Sequence, residues 1–316
     1  MGCPMCSMSS SQAEFTIRAP RPGDAEDIAH LLAAFDTSFG VEETEQPEDL
    51  LDEWRELDLS RDAWVWELDG RIVAYAAVHA RGEQAANSRL VADGYVSPDY
   101  AGRGLGTAIV DNTERRARER AAPRIENAVL GSDVRAAELL QARGYRDVRH
   151  FYRMRIELDG PPPEPRWPEG FEIAAFDPAE AHEFHDALKD GFAEEWGHTP
   201  EPFEAFAKRR LEEERFDPTL WTTVRVGDEI AAVLIADWKR YGETGWIESI
   251  AVRKPWRRRG LGEALLLRAF GQLYDRGERV VRLGVDAENP TGATRLYERV
   301  GMSVSFEAVI YAKDLP

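Results

Sequence analysis

At 316 residues and a formal net charge of −18, the chain is longer than one hydrophobic core usually sustains and too acidic for a broad nucleic-acid surface, which needs clustered Lys and Arg. Its 43% hydrophobic and 10% aromatic content is that of ordinary folded domains, so general disorder is excluded and two cores are expected. No apolar run approaches the length that crosses a bilayer, and residues 1–12 lack the basic and apolar regions of a secretory signal. The expected compartment is therefore the cytoplasm, with no membrane partner.

Residues 1–13 read as a disordered leader. Its Cys3 and Cys6 form a lone C-x-x-C with no second ligand pair, so no metal site is expected. Residues 159–170 hold five prolines and two glycines, which can continue neither a helix nor a central strand, and read as a stiff linker. On either side of that linker the same order of elements recurs, which divides the chain into a domain at 14–158 and a second at 171–316.

In chain order, residues 15–18 and 171–174 predict strands, and 24–35 and 179–192 predict helices with acidic or Asp-Pro starts. A second helix follows, at 204–214 in the later half, with one apolar stripe among charges. Antiparallel ribbons turn about Asp69-Gly70 and Gly227-Asp228. Each half then has a strand, a glycine-rich turn and a long amphipathic helix, at 104–118 and 260–276.

The later turn is the most informative stretch. A strand ending in Ile250, Ala251 and Val252 runs through Arg257, Arg258, Arg259, Gly260, Leu261 and Gly262 into a helix that opens with Glu263. Backbone N–H groups of such a turn, with those of the helix N-terminus, converge on a bound anion, and glycine lets the chain approach a phosphate closely. Five basic residues fall within positions 253–259 of an otherwise acidic chain, which sharpens the case for a polyphosphate. A dinucleotide fold would want glycine where Leu265 stands, and a P-loop would want Gly-Lys-Ser/Thr.

The R-x-x-G-x-G turn, followed by N-P-x-x-A-x-x-L-Y-E-x-x-G-M from Asn289 to Met302, resembles the GNAT superfamily of coenzyme A dependent N-acetyltransferases across the whole second half. The resemblance implies an α/β fold, a mixed α+β sheet, in two tandem domains forming a pseudo-dimer. It implies acetyl-CoA as cosubstrate, held at its pyrophosphate by residues 257–262, with Asn289 bonding the pantetheine arm or its neighbouring loop. Tyr297 would give the departing thiolate its proton, a half-buried core tyrosine being the alternative. Glu248, a carboxylate in an apolar strand, is the candidate general base or else half of a salt bridge with an arginine. Backbone N–H groups near residues 250–252 would polarise the thioester carbonyl.

The acceptor site is expected at the loops 191–200 and 239–244. Trp196 and His198 could enclose an amine or simply pack the loop, and Glu194 and Glu195 would attract a cation or merely be solvated. The first half repeats the turn through Val96, Arg103, Gly104, Leu105 and Gly106, a possible second cofactor site. However, it places Ala92 opposite Glu248, Leu140 opposite Tyr297, Ser132 opposite Asn289 and Ala101 opposite Arg257. It reads as non-catalytic.

Tandem copies with only the later one intact resemble mycothiol synthase, which acetylates a cysteinyl amine on a sugar–inositol scaffold. Its acceptor contacts cannot be matched here, so that substrate is not carried over. The expected activity is direct acetyl transfer to a primary amine of a small molecule, by a monomer or homodimer. A CoA-binding module without catalysis and a protein N-acetyltransferase are the alternatives.

Overall fold

The computed structural model describes residues 15–42, 45–55, 57–81, 89–196, 200–212, 216–240 and 244–316. Cys3, Cys6, His198, the end of the expected helix 204–214 and the middle of the loop 239–244 lie outside the described residues. The first half runs β1 (Thr16–Arg18), α1 (Ala25–Ser38), α2 (Pro47–Trp54), α3 (Leu59–Asp62), β2 (Ala63–Leu68), β3 (Arg71–Arg81), β4 (Arg89–Val96), α4 (Leu105–Glu119), β5 (Arg124–Leu130), α5 (Val134–Ala142) and β6 (Arg146–Glu157). The second repeats it with β7 (Glu172–Ala175), α6 (Ala181–Phe192), α7 (Phe203–Phe206), β8 (Thr222–Val226), β9 (Glu229–Arg240), β10 (Thr244–Val252), α8 (Leu261–Asp275), β11 (Val280–Asp286), α9 (Ala293–Arg299) and β12 (Ser303–Asp314).

Among the described residues the strands form one twelve-stranded mixed sheet in the order β1-β2-β3-β4-β5-β12-β6-β11-β10-β9-β8-β7. The terminal strands of the two halves are exchanged. β12 pairs with β5 from Ala308↔Leu130 to Asp314↔Arg124, while β6 pairs with β11 from Val280↔Glu157 to Asp286↔Phe151. β6 and β12 also pair with each other, closing the join. The cores follow the exchange: Met154 and Leu158 belong to the apolar cluster of the second half, and Val309 and Tyr311 to a cluster of the first. The expected pair of separate cores is thus corrected to clusters that share strands across a continuous sheet.

That exchange explains the proline-rich segment. β6 ends in the middle of the sheet, whereas β7 forms its far edge, five strand positions away. The separation is about 24 Å across the strands, and fourteen residues in extended proline-type conformation reach roughly 43 Å, enough to pass over intervening helices. Trp167 of this segment packs on the core of the second half.

The expected helix at 204–214 is corrected. It is a single α-helical turn, α7, followed by a π-helical turn over Ala207–Leu211. The wider turn carries Arg210 inward, to 5% exposure, against Asp237 and Glu248. Once inside, the guanidinium needs its two carboxylate partners, since an unpaired buried charge is strongly destabilising.

Because each half is completed by the other's last strand, residues 14–158 and 171–316 expressed separately are expected to aggregate or self-associate, and to combine one-to-one on co-expression. Size-exclusion chromatography with light scattering checks this; a stable, cooperatively unfolding monomer of either piece would contradict the exchange.

Candidate active site

β10 and β11 run parallel but pair only at Gly245↔Val281 and Trp246↔Arg282. Beyond those positions they diverge, which leaves the edge of β10 from Ile247 onward facing a cleft of about 1160 Å³. Within the diverging stretch β10 is bulged. Ile247 faces Ala236 and Ser249 faces Ile235, so Glu248 is the extra residue. A bulge re-aims its side chain and increases twist, and here it presents Glu248 to the cleft. One carboxylate oxygen is paired with Arg210, and the other accepts Trp246 Nε1 at 2.8 Å. Arg153 of β6 lies over the Trp246 ring at 4.5 Å, so a strand of the first half braces this arrangement.

The glycine turn begins with a 3₁₀ turn at Lys254–Trp256 and ends at Gly260, which caps α8 in a left-handed conformation, φ 88°. Arg258 is also left-handed, φ 63°, a conformation that costs a side-chain-bearing residue roughly 1–2 kcal/mol. The N–H groups of Leu261, Gly262 and Glu263 open the helix without intrahelical acceptors and line the cleft, the arrangement that receives an anion. Arg257 is committed elsewhere: its guanidinium donates to Val252 O at 3.0 Å, Gly191 O at 3.1 Å and Glu194 at 2.5 Å. It fastens the strand end to α6, where a Cβ on Gly191 would stand 2.5 Å from that of Ala251.

Gly262 has a packing reason that its motif position does not reveal. A Cβ there would come within 2.8 Å of Leu296 Cδ2, one residue before Tyr297. The close approach of α8 and α9 therefore sets where Tyr297 stands. Tyr297 lines the cleft at 6% exposure, and burial, aided by the charge of Glu195, raises its pKa above the ordinary phenol value. Glu195 is itself raised, first by burial and then by Asp286, against the opposing hydrogen bond from Asn289 Nδ2 at 3.1 Å. Asn289 Oδ1 accepts Thr291 N at 2.8 Å, so its amide braces the loop.

The cleft thus brings together Glu248, Ile250, Val252, Arg257, Arg258, Gly260, Leu261, Gly262, Glu263, Asn289, Tyr297, Glu195 and Trp196. Ala251 faces α6, and Arg259 is an exposed turn residue outside the lining. Arg210, Phe151 and Arg149 were missed as site residues. The signal for the last two was the alternation of Arg149, Phe151, Arg153 and Arg155, which would put them on one face of an extended segment.

In the first half the turn keeps its shape, with Gly102 at φ 78° and Gly104 at φ 86°, and β4 pairs with β5 only from Leu90 to Ala92. The bulge is missing: β3 and β4 stay in register from Ala74↔Val96 to Arg81↔Arg89. Ala92 and Leu140 are buried core residues. Among the described residues no cluster of His, Cys, Asp or Glu could hold a metal, and no helix is long and apolar enough to cross a membrane.

The model of the acetyltransferase (GNAT) family matches residues 28–145 and 181–302. The chain belongs to this family. It is an acetyl-CoA dependent N-acetyltransferase with two tandem GNAT regions. It is 27% identical to a mycothiol acetyltransferase of Catenulispora acidiphila, over 93% of this chain and 97% of that one. It is also similar to the crystal structure of a GCN5-related N-acetyltransferase from Sphaerobacter thermophilus, 37% identical with a TM-score of 0.83 and 95% of each chain covered. A tandem GNAT protein of the clavulanic acid biosynthesis pathway shares the fold, with a TM-score of 0.75 at 17% identity, 95% of this chain and 98% of that one covered.

Gly262→Val is expected to displace Leu296 and with it Tyr297, lowering kcat at saturating acetyl-CoA as well as weakening cofactor binding. Steady-state kinetics against both substrates checks it; a change in cofactor KM alone would assign Gly262 to phosphate approach only.

Proposed function

We propose that the protein transfers the acetyl group of acetyl-CoA directly to a primary amine of a small molecule, in the cleft of its second half and without a covalent enzyme intermediate. The observation that carries this is one cleft lined by a bulged Glu248 of β10, a buried Tyr297 of α9 and the anion-receiving N-terminus of α8. The amine nitrogen attacks the thioester carbonyl, the C–S bond breaks, the amine proton passes to Glu248 and the thiolate takes its proton from Tyr297. Arg210 and Trp246 hold one acceptor site on each Glu248 oxygen, and the remaining lone pairs take the proton directly or through a water. N–H groups of the diverging β10 edge receive the carbonyl oxygen.

A small acceptor suits the end of the cleft, where Phe151 and Trp196 stand with ring centroids 6.3 Å apart. The likeness to proteins named mycothiol acetyltransferase supports the same class. The acceptor screen therefore begins with cysteinyl, amino-sugar and polyamine primary amines. In the first half, the retained turn without bulge, carboxylate or phenol supports a non-catalytic role.

Calorimetric titration of acetyl-CoA is expected to give a site lost in Gly260→Val and kept in Gly104→Val; loss with Gly104→Val alone, or no binding, would reject the assignment. Tyr297→Phe should lower kcat by about a hundredfold or more with acetyl-CoA affinity unchanged. Unaltered transfer would remove Tyr297 from the chemistry. The sign of its shift is upward, so the neutral, donating phenol persists as pH rises through the ordinary phenol range. Wild-type kcat should accordingly show no fall assignable to Tyr297 up to about pH 10.

A further inference from the structure

Three consecutive residues after α6 tie the end of the cleft to three different parts of the molecule. Glu194 receives Lys254 Nζ at 2.9 Å and Arg257 Nη1 at 2.5 Å in the glycine turn. Glu195 receives Asn289. Trp196 leaves its own half: Arg89 lies over its ring at 5.3 Å and Arg149 at 5.5 Å, with Phe151 beside it. Arg89 opens β4, and Arg149 and Phe151 lie on β6, all in the first half.

Both cations are anchored before they meet the indole. Arg149 spans Asp286, with contacts of 2.9 and 2.6 Å, and reaches Glu288 at 3.0 Å; Arg89 faces Glu126 of β5 at 3.6 Å. Trp196 offers its π-system to two fixed guanidinium groups, a directional contact that apolar packing alone does not supply. The first half reaches back by a different and longer contact, Glu42 to Arg282 of β11 at 4.0 Å, whereas the indole belongs to the loop of the working cleft.

We propose that Trp196 is a positioning residue, through which Arg89 and Arg149 of the first half hold the loop that walls the acceptor end of the second half's cleft. The first half then serves catalysis by fixing this loop, without chemistry of its own. The kinetic side of this inference rests on the proposed amine acetylation; its structural side does not.

The full chain labelled with 5-fluorotryptophan supplies the test, with the Trp196 fluorine resonance assigned by its loss in Trp196→Phe. Arg89→Ala is expected to shift that resonance and to raise KM for the amine turned over best in the screen by about fivefold or more. The acetyl-CoA dissociation constant should stay within about twofold, and Arg89→Lys, which keeps the cation, should recover part of the loss. An unmoved resonance, or a moved one with unchanged amine KM, would overturn the proposal. If wild-type protein acetylated no amine in the screen, the proposed function would fall, and the resonance by itself would decide whether the first half holds the loop.

Discussion

The exchange of β6 and β12 is the constraint on which the rest depends. Two antiparallel strands, each the last of its half, lie side by side at the centre of the sheet, and each also pairs with the penultimate strand of the other half. Backbone hydrogen bonds in a central strand cannot be given up to water without leaving two ladders open, so neither half can separate without exposing a pair of edges. The apolar clusters reinforce this, because Met154 and Tyr311 are each buried in the opposite half. Duplication has produced one sheet with a pseudo-twofold join.

From that join follows the asymmetry of the two clefts. Both halves keep the diverging strand pair and the left-handed turn before the long helix, which are backbone features set by glycine and by strand register. Near the catalytic carboxylate they part at the residue inserted in β10 between Ile247 and Ser249, which β4 lacks. The bulge turns Glu248 toward the cleft, and a π-helical turn brings Arg210 to meet it. Two local irregularities, each unfavourable by itself, are held by the ion pair they create.

The carboxylates of the cleft are differentiated by their surroundings. Glu248 is held by Arg210 and an indole N–H, while Glu195, half-buried near Asp286 and bonded by the Asn289 amide, has its pKa raised. Tyr297 beside it is kept neutral by burial. Glu194, in contrast, is exposed between Lys254 and Arg257, which lower its pKa. Neighbouring residues of one loop therefore carry different duties, and residues of the first half, Arg153 on Trp246 and Arg149 on Trp196, support both sides of the cleft.

Much of the local structure was legible in the sequence because it depends on short-range physics. The duplicated order of elements, the turn at Gly260, the paired turn at Gly104 and the loss of Glu248 and Tyr297 counterparts in the first half all follow from residue type and spacing. What the tertiary structure decided involves contacts far apart in the chain. Nothing local says that Phe151 of β6 lines the other half's cleft, or that Arg149 and Arg153 lie over Trp196 and Trp246. Arg257 reads as a phosphate ligand, and only the fold shows that its guanidinium also ties Gly191 and Glu194 together. Arg210 reads as one more surface charge, since a helical pattern gives no sign of the π-turn that buries it. Residue type and spacing determined the family, the turn and the chemical groups; register, strand exchange and ion pairing determined which of those groups meet, because such pairings are chosen by burial across the whole sheet.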